Sequence, residues 1–245
     1  MNLNAPWLEH YGNIPKNLQY PDCSMSDLVF QTARKYPDTA AYDFFGSRAS
    51  YAEFAGKIDE CARALAAAGI KADDRVTICM PNVPQAVIMF YALNRIGAVA
   101  NMVHPLSAEE EIVFYVNSSS SVAALTLDQF YPKFEAIMDR ICIKTLLITG
   151  IDDGLKGIKK LAYPMTLGRK IRRIKTGGKV IRWLDFIKNG RNYDTQYSVT
   201  RIGDDLAAIL YSGGTTGKTK GILLTNLNFN ALAMQTVAAG NSGRY

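Results

Sequence analysis

This sequence has few of the residues that build metal centres, disulfide frameworks or membrane spans. Its 245 residues include four cysteines and two histidines, and no CxxC pair. We therefore expect buried, reduced thiols and no metal site. The longest uncharged apolar run is residues 86–93, far short of the roughly 18 residues that a membrane span needs. The amino terminus has no signal-peptide pattern, so we expect a cytoplasmic protein.

The positive charge is concentrated in one segment. The net charge is +6, but residues 156–191 hold 12 Lys or Arg and one acid, and the remainder carries −5. Apolar side chains are interleaved with these cations, so the segment is either a solvated loop or a peripheral contact with anionic membrane. Nucleic-acid binding is not expected, because the segment has no recognised binding fold and the surrounding protein is acidic.

Between residues 24 and 150, strand-like and helical patterns alternate. Ser26 is the expected N-cap of a helix through Arg34, and Ser107 with Glu110 is the expected capping box of a helix through Val116. The remaining predicted strands are 40–45, 75–80, 98–103, 122–127 and 144–149, and the remaining helices are 51–68, 84–96 and 130–140. This alternation predicts an α/β fold with a largely parallel sheet flanked by helices.

Three regions follow from these patterns. An α/β unit covers about residues 24–150, and a basic, irregular segment covers about 151–182. A short helix then begins at Trp183, and a region around a glycine-rich loop covers about 204–240, with its first strand at 206–212.

The glycine-rich loop carries the strongest functional signal. It contains Ser212, Gly213, Gly214, Thr215, Thr216, Gly217 and Lys220. Glycines let backbone N–H groups approach an anion, hydroxyls add donors, and the lysine adds positive charge. A polyphosphate is the expected ligand.

One alternative for this loop is a P-loop NTPase. Residues 212–219, SGGTTGKT, match GxxxxGK[ST] except that Ser212 replaces the first glycine. A P-loop must open a helix, whereas residues 221–225, GILLT, predict a strand, and helical pattern returns only at about Asn226. A strand after the loop would argue against this alternative.

Residues 209–221 resemble the phosphate-binding signature of adenylate-forming enzymes, the AMP-binding superfamily that includes acyl-CoA synthetases. Thr219 departs from that signature, which usually has proline there. Residues 48–54, RASYAEF, and the strand, PNVP turn and helix within 76–116 also resemble conserved elements of the family. The opening at residues 6–21 resembles the leader of long-chain fatty acid CoA ligases in particular.

The resemblance implies an activity and its cofactors. In the family, a carboxylate attacks the α-phosphate of ATP to give an acyl-adenylate and pyrophosphate, and the thiol of CoA then displaces AMP, with Mg²⁺ assisting. The loop would hold the β- and γ-phosphates, with Thr215 and Thr216 as donors and Lys220 as counter-charge. No catalytic residue or metal ligand is assignable, and His104 is expected to be structural.

Members of this family are about twice as long as this chain. The motifs expected after the phosphate loop, including the adenine and Mg²⁺ segment and the carboxyl-terminal lysine domain, are absent. We therefore expect the amino-terminal part of a fatty acid CoA ligase, inactive alone because it has half of an ATP site. A non-catalytic module that senses ATP or lipid is the remaining alternative.

Overall fold

The computed structural model describes residues 5–165, 171, 174–212 and 219–241, apart from the side chains of Pro164 and Asn241. Its α-helices are α1 (Met25–Lys35), α2 (Tyr51–Ala67), α3 (Pro84–Arg95), α4 (Glu109–Ser118), α5 (Tyr131–Ile137), α6 (Gly157–Ala162), α7 (Trp183–Asn189) and α8 (Asn226–Asn241). Its strands are β1 (Ala40–Phe44), β2 (Ser47–Ser50), β3 (Arg75–Cys79), β4 (Val99–Val103), β5 (Ala123–Leu127), β6 (Thr145–Thr149), β7 (Val180–Arg182), β8 (Leu206–Ser212) and β9 (Lys220–Thr225).

Seven strands form the central sheet, in the order β7-β6-β5-β3-β4-β8-β9. All neighbours in this sheet are parallel except β8 and β9, which are antiparallel. The mostly parallel sheet confirms the predicted α/β fold. Its central strands are mostly apolar and almost fully buried because helices cover both faces.

Each face of the sheet has its own hydrophobic core. On one face, α2, α3 and α7 contribute buried residues that include Ile58, Leu65, Met89, Leu93 and Phe186. On the other face, α4 and α5 contribute Ile112, Val116, Phe134 and Ile137. These side chains recur at helical spacing, which is why the apolar pattern located the helices.

The first strand lies outside the central sheet. β1 pairs only with β2, as an antiparallel hairpin. Phe45 (φ 50°) and Gly46 (φ 77°) form its turn, both with the positive φ that a tight two-residue hairpin requires. The Asp43 carboxylate accepts a hydrogen bond from the Gly46 N–H and supports the turn. The alternating pattern therefore predicted the strand but not its partner.

The N-cap of α1 is Ser24, so the prediction of Ser26 was wrong. The Asp27 N–H donates to Ser24 Oγ at 3.1 Å, and the Ser24 N–H donates to the Asp27 carboxylate. This is a capping box with aspartate in the place usually taken by glutamate. The Ser26 N–H instead donates to Asn94 Oδ1 of α3.

The N-cap of α4 lies one residue later than predicted and makes no side-chain cap, so the predicted capping box of Ser107 and Glu110 was wrong. Ala108 is the N-cap, and its N–H donates to the Glu111 carboxylate at 2.9 Å. Glu110 instead forms an ion pair with Arg140. Ser107 therefore has no capping role, because the turn after His104 delays the helix by one position.

Two further expectations need correction. The segment 151–182 is not irregular throughout, since it contains the 3₁₀ turn Ile151–Gly154, the helix α6 and the strand β7.

Cys61 and Cys79 are buried, but Cys142 is exposed and Cys23 is half-buried, so the expectation of four buried thiols was wrong. Among the described residues, no helix has the length and apolar character to cross a membrane.

Candidate functional site at the carboxyl end of the sheet

The carboxyl ends of β3, β4 and β8 lie side by side, because these strands are adjacent and parallel. A cavity of about 490 Å³ opens there, and its lining includes Met80, Asn82, His104, Ser107, Tyr115 and Tyr211. The chain passes from β3 to β4 on one side and returns to β5 on the other. This reversal places the topological switch point beside β3, whose carboxyl end lines the cavity, and ligands commonly bind near such points in open parallel sheets.

The glycine-rich loop begins at this edge of the sheet. Its two ends belong to the β8–β9 hairpin, in which Ser212 is directly opposite Lys220. Of the predicted phosphate-binding residues, Ser212 and Lys220 are therefore brought together. Gly213, Gly214, Thr215, Thr216 and Gly217 lie outside the described residues.

The structure after the loop discriminates between the two nucleotide-binding hypotheses. Lys220–Thr225 forms the strand β9, and the next helix, α8, begins only at Asn226. A P-loop requires a helix whose N-terminus faces the phosphates immediately after the loop. The strand–loop–strand arrangement argues against a P-loop NTPase.

A turn at residues 104–107 forms one wall of the cavity. The Lys133 ammonium of α5 donates to the carbonyls of Pro105 (3.2 Å) and Ser107 (2.7 Å) and fixes this turn. His104 is exposed, and its Nδ1 accepts a hydrogen bond from the Leu106 N–H. This contact gives His104 a role in the turn.

The site contains no activated cysteine or metal cluster within the part of the chain that is described. Burial raises the pKa of the Cys79 thiol to about 12, although Lys133 opposes the shift. The thiol is therefore protonated and a poor nucleophile at neutral pH. Across the described ranges, no three His, Cys, Asp or Glu side chains are grouped to hold a metal ion.

Two aromatic residues that line the cavity, Tyr115 and Tyr211, were not identified as site residues from the sequence. Tyr211, next to the loop, stacks on Tyr115 of α4 with ring centroids 4.0 Å apart and planes 28° apart. Burial raises the pKa of Tyr211, and hydrogen bonds to its oxygen oppose the shift. Its hydroxyl donates to the buried Asn101 of β4. The sequence signal for this contact was Asn101, a polar residue within the apolar segment AVANMV. It indicates a buried polar contact but does not identify Tyr211 as the partner.

The comparison with protein families favours the adenylate-forming enzymes over the P-loop NTPases. The model of the AMP-binding enzyme family matches residues 29–244. The chain belongs to the AMP-binding enzyme family. This assignment agrees with the loop signature, and it accounts for the strand after the loop.

Individual AMP-binding enzymes match nearly the whole chain. The long-chain-fatty-acid–CoA ligase of Bacillus subtilis (strain 168) is 28% identical over 233 residues, covering 94% of this chain and 42% of the relative. The ligase of the same name from Escherichia coli O6:H1 is 28% identical over 241 residues, with the same coverage. The chain thus spans less than half the length of the curated relatives it matches.

The fold is also that of solved AMP-binding enzymes. A long-chain-fatty-acid-CoA ligase from Archaeoglobus fulgidus superposes with a TM-score of 0.72 at 22% identity, covering 92% of this chain and 41% of that structure. At this identity the likeness concerns the fold alone. The α/β sheet described above therefore has the same fold as the matched part of that structure.

Proposed function

We propose that this chain is the amino-terminal part of the AMP-binding domain of a fatty acid CoA ligase. In such an enzyme, a carboxylate oxygen attacks the α-phosphorus of ATP and pyrophosphate leaves. The thiol of CoA then attacks the acyl carbon of the acyl-adenylate, releasing AMP. The observation that carries the proposal is the glycine-rich loop between β8 and β9, at the switch-point edge of the sheet.

Within this proposal, residues 212–220 hold the β- and γ-phosphates. Ser212 Oγ, Thr215 and Thr216 are donors, the three loop glycines expose backbone N–H groups, and Lys220 neutralises charge as pyrophosphate leaves. The donor set suits a polyphosphate, because it is rich in N–H and O–H groups and contains no acid. Bound ATP supplies the leaving group. We assign neither a CoA-binding residue nor a Mg²⁺ ligand.

Two measurements test this function. The natural gene product is expected to catalyse exchange of pyrophosphate into ATP that depends on a long-chain fatty acid, and Thr216→Ala is expected to reduce the exchange strongly. The 245-residue chain alone is expected to bind pyrophosphate without catalysing exchange. A gene product that binds ATP or lipid but exchanges with no carboxylate would contradict the ligase and favour a sensing module.

We also propose that residues 156–191 contact anionic membrane. Three large apolar side chains stand nearly fully exposed here, Ile158 (80%), Leu161 (77%) and Met165 (80%). Lys160 is exposed beside them, whereas Lys156 pairs with Glu53 and Lys159 donates to the Phe45 carbonyl. Apolar insertion combined with attraction to anionic lipid would recruit the protein to the surface where fatty acids partition.

Vesicle flotation tests this contact. The chain is expected to float with phosphatidylglycerol vesicles at low salt, less at high salt, and not with phosphatidylcholine vesicles. Leu161→Asp is expected to abolish flotation. Phe114→Asp is the matched control, because Phe114 is 52% exposed but lies on α4. Equal recovery with both lipids, or an equal effect of both variants, would reject the proposal.

A further inference from the structure

A buried amide lies on β4, beside the strand that leads into the proposed phosphate loop. Asn101 of β4 is fully buried, so each of its polar atoms needs a partner. Its Nδ2 donates to Thr77 Oγ1 and to Ser119 Oγ, both at 2.9 Å. Its Oδ1 accepts a hydrogen bond from the Tyr211 hydroxyl at 2.8 Å.

The amide is itself held rigidly. Thr77 Oγ1 donates to Ser121 Oγ, and Ser119 and Ser121 share a hydrogen bond, both at 2.8 Å. Because every member of the cluster has partners, the Asn101 side chain has one orientation. Its oxygen therefore presents a fixed acceptor to Tyr211.

The Tyr211 ring is held as firmly as its hydroxyl. One side stacks on Tyr115, whose carbonyl also accepts from the Tyr211 hydroxyl at 3.2 Å. Across the hairpin from Tyr211 is Gly221, where an added Cβ would lie 3.3 Å from Ile209 Cγ2 and 3.4 Å from the ring atom Cε1. The ring therefore lies close over the β9 backbone.

The β9 ladder pairs Tyr211 with Gly221 and Ser212 with Lys220, but on the β4 side no described backbone pair reaches the end of β8. The described β4–β8 ladder consists of the pairs Ala100–Ala208 and Asn101–Ile209. Tyr211 lies two residues beyond the last of these pairs and immediately before Ser212. Its side chain therefore ties the end of β8 to β4 at the point where the loop begins.

We infer that Tyr211 is a positioning residue for the phosphate loop. Its hydroxyl, anchored on Asn101, fixes the end of β8 and so the position of Ser212, from which the loop starts. This inference rests on the proposed phosphate-binding role of residues 212–220. The inference adds that the loop is aligned by Tyr211, a side chain that does not need to contact the ligand.

Tyr211→Phe is the appropriate variant, because it removes one oxygen and keeps the stacked ring. Tyr197→Phe is a matched control. It also removes a part-buried hydroxyl, which donates to Asp59 Oδ1 at 2.7 Å, but on the opposite face of the sheet, against α2. Both variants lose a hydrogen bond, so a general loss of stability would affect both.

The first measurement is calorimetric binding of inorganic pyrophosphate to the 245-residue chain. Tyr211→Phe is expected to weaken binding about tenfold, because Asn101 Oδ1 loses its partner and the loop loses its alignment. Tyr197→Phe is expected to stay within about twofold of wild type. Unchanged affinity in Tyr211→Phe would overturn the inference.

The second measurement needs no ligand. Hydrogen exchange of the amides at 212–218 is expected to accelerate in Tyr211→Phe and to keep its wild-type rate in Tyr197→Phe. Wild-type exchange in Tyr211→Phe would overturn the inference even if both variants melt at lower temperature. A wild-type chain that binds no pyrophosphate would reject the proposed loop function instead, and the exchange comparison would still decide the role of Tyr211.

Discussion

Ser212 and Lys220 are directly opposite each other across the β8–β9 ladder. Side chains of opposed residues in an antiparallel pair leave the same face of the sheet, with Cβ atoms about 4.5–5.5 Å apart. The ladder thus starts the side chains of Ser212 and Lys220 beside each other on one face of the sheet, at the two ends of residues 213–219. In the proposed site, this pair forms the base of the phosphate loop.

Replacing Lys220 with alanine is expected to weaken pyrophosphate binding about tenfold at low salt. The exposed ammonium acts through its charge, so the difference from wild type should shrink as salt screens it. Lys188→Ala is the control, because Lys188 is an exposed lysine in the last turn of α7. Calorimetric titrations at two salt concentrations measure both effects. Equal weakening by the two variants would contradict a specific role for Lys220.

The central fold was predictable because its signals are local. Apolar residues recur at helical spacing in α2 and α3, and each of these helices is followed by a glycine in the left-handed region, Gly69 (φ 80°) and Gly97 (φ 74°). The short segment GILLT, without helical spacing, likewise predicted β9. The same local signals identified the loop and the strand–loop–strand arrangement that argues against a P-loop.

The remaining features depend on tertiary contacts. Nothing near Asn101 in the sequence indicates that Tyr211, 110 positions away, would satisfy its amide. The cap of α4 shifted to Ala108 because Lys133 of a later helix fixes the preceding turn. In each case the deciding partner is distant along the chain, so a local pattern could not identify it.

Two glycine substitutions, at Gly190 and Gly56, are expected to change the free energy of unfolding in opposite directions. Gly190 lies where the end of α7 contacts α2, and Gly56 lies on an open face of α2. A Cβ on Gly190 would lie 2.3 Å from Ala64 Cα and 2.6 Å from Ala64 N, whereas a Cβ on Gly56 would meet nothing within 4 Å. Gly190→Ala must therefore push α7 away from α2. It is expected to lower the free energy of unfolding by about 1–3 kcal/mol.

Gly56→Ala is expected to raise the free energy of unfolding by about 0.5–1 kcal/mol, because alanine reduces backbone entropy in the unfolded chain and suits an exposed helix position. Urea denaturation followed by circular dichroism measures both variants. If Gly190→Ala did not lower the free energy of unfolding, the close packing of Gly190 against Ala64 would be wrong.

Asp128, at the carboxyl end of β5, is a half-buried carboxylate that opposes folding at neutral pH. Burial raises its pKa above the ordinary value of 3.8, and the charges of Asp152 and Asp153 raise it further. A hydrogen bond from the Gln129 N–H and the charge of Arg182 oppose the shift only in part. The folded chain therefore binds a proton at this site more tightly than the unfolded chain does.

The sign of this shift predicts a pH-dependent effect of Asp128→Asn. Because the folded pKa is raised, the ionised carboxylate costs stability at pH values above 3.8, and stability falls as pH rises through the folded pKa.

In the Asp128→Asn variant, asparagine keeps an oxygen to accept the hydrogen bond from the Gln129 N–H but carries no charge. The variant is expected to melt about 1–3 °C higher at pH 7. This gain should shrink at pH 4, because the raised pKa makes the folded wild-type carboxyl take up a proton at higher pH than the unfolded chain does. Asp38→Asn, an exposed substitution, should change the melting temperature at neither pH. A gain of equal size at both pH values would show that charge is not its cause.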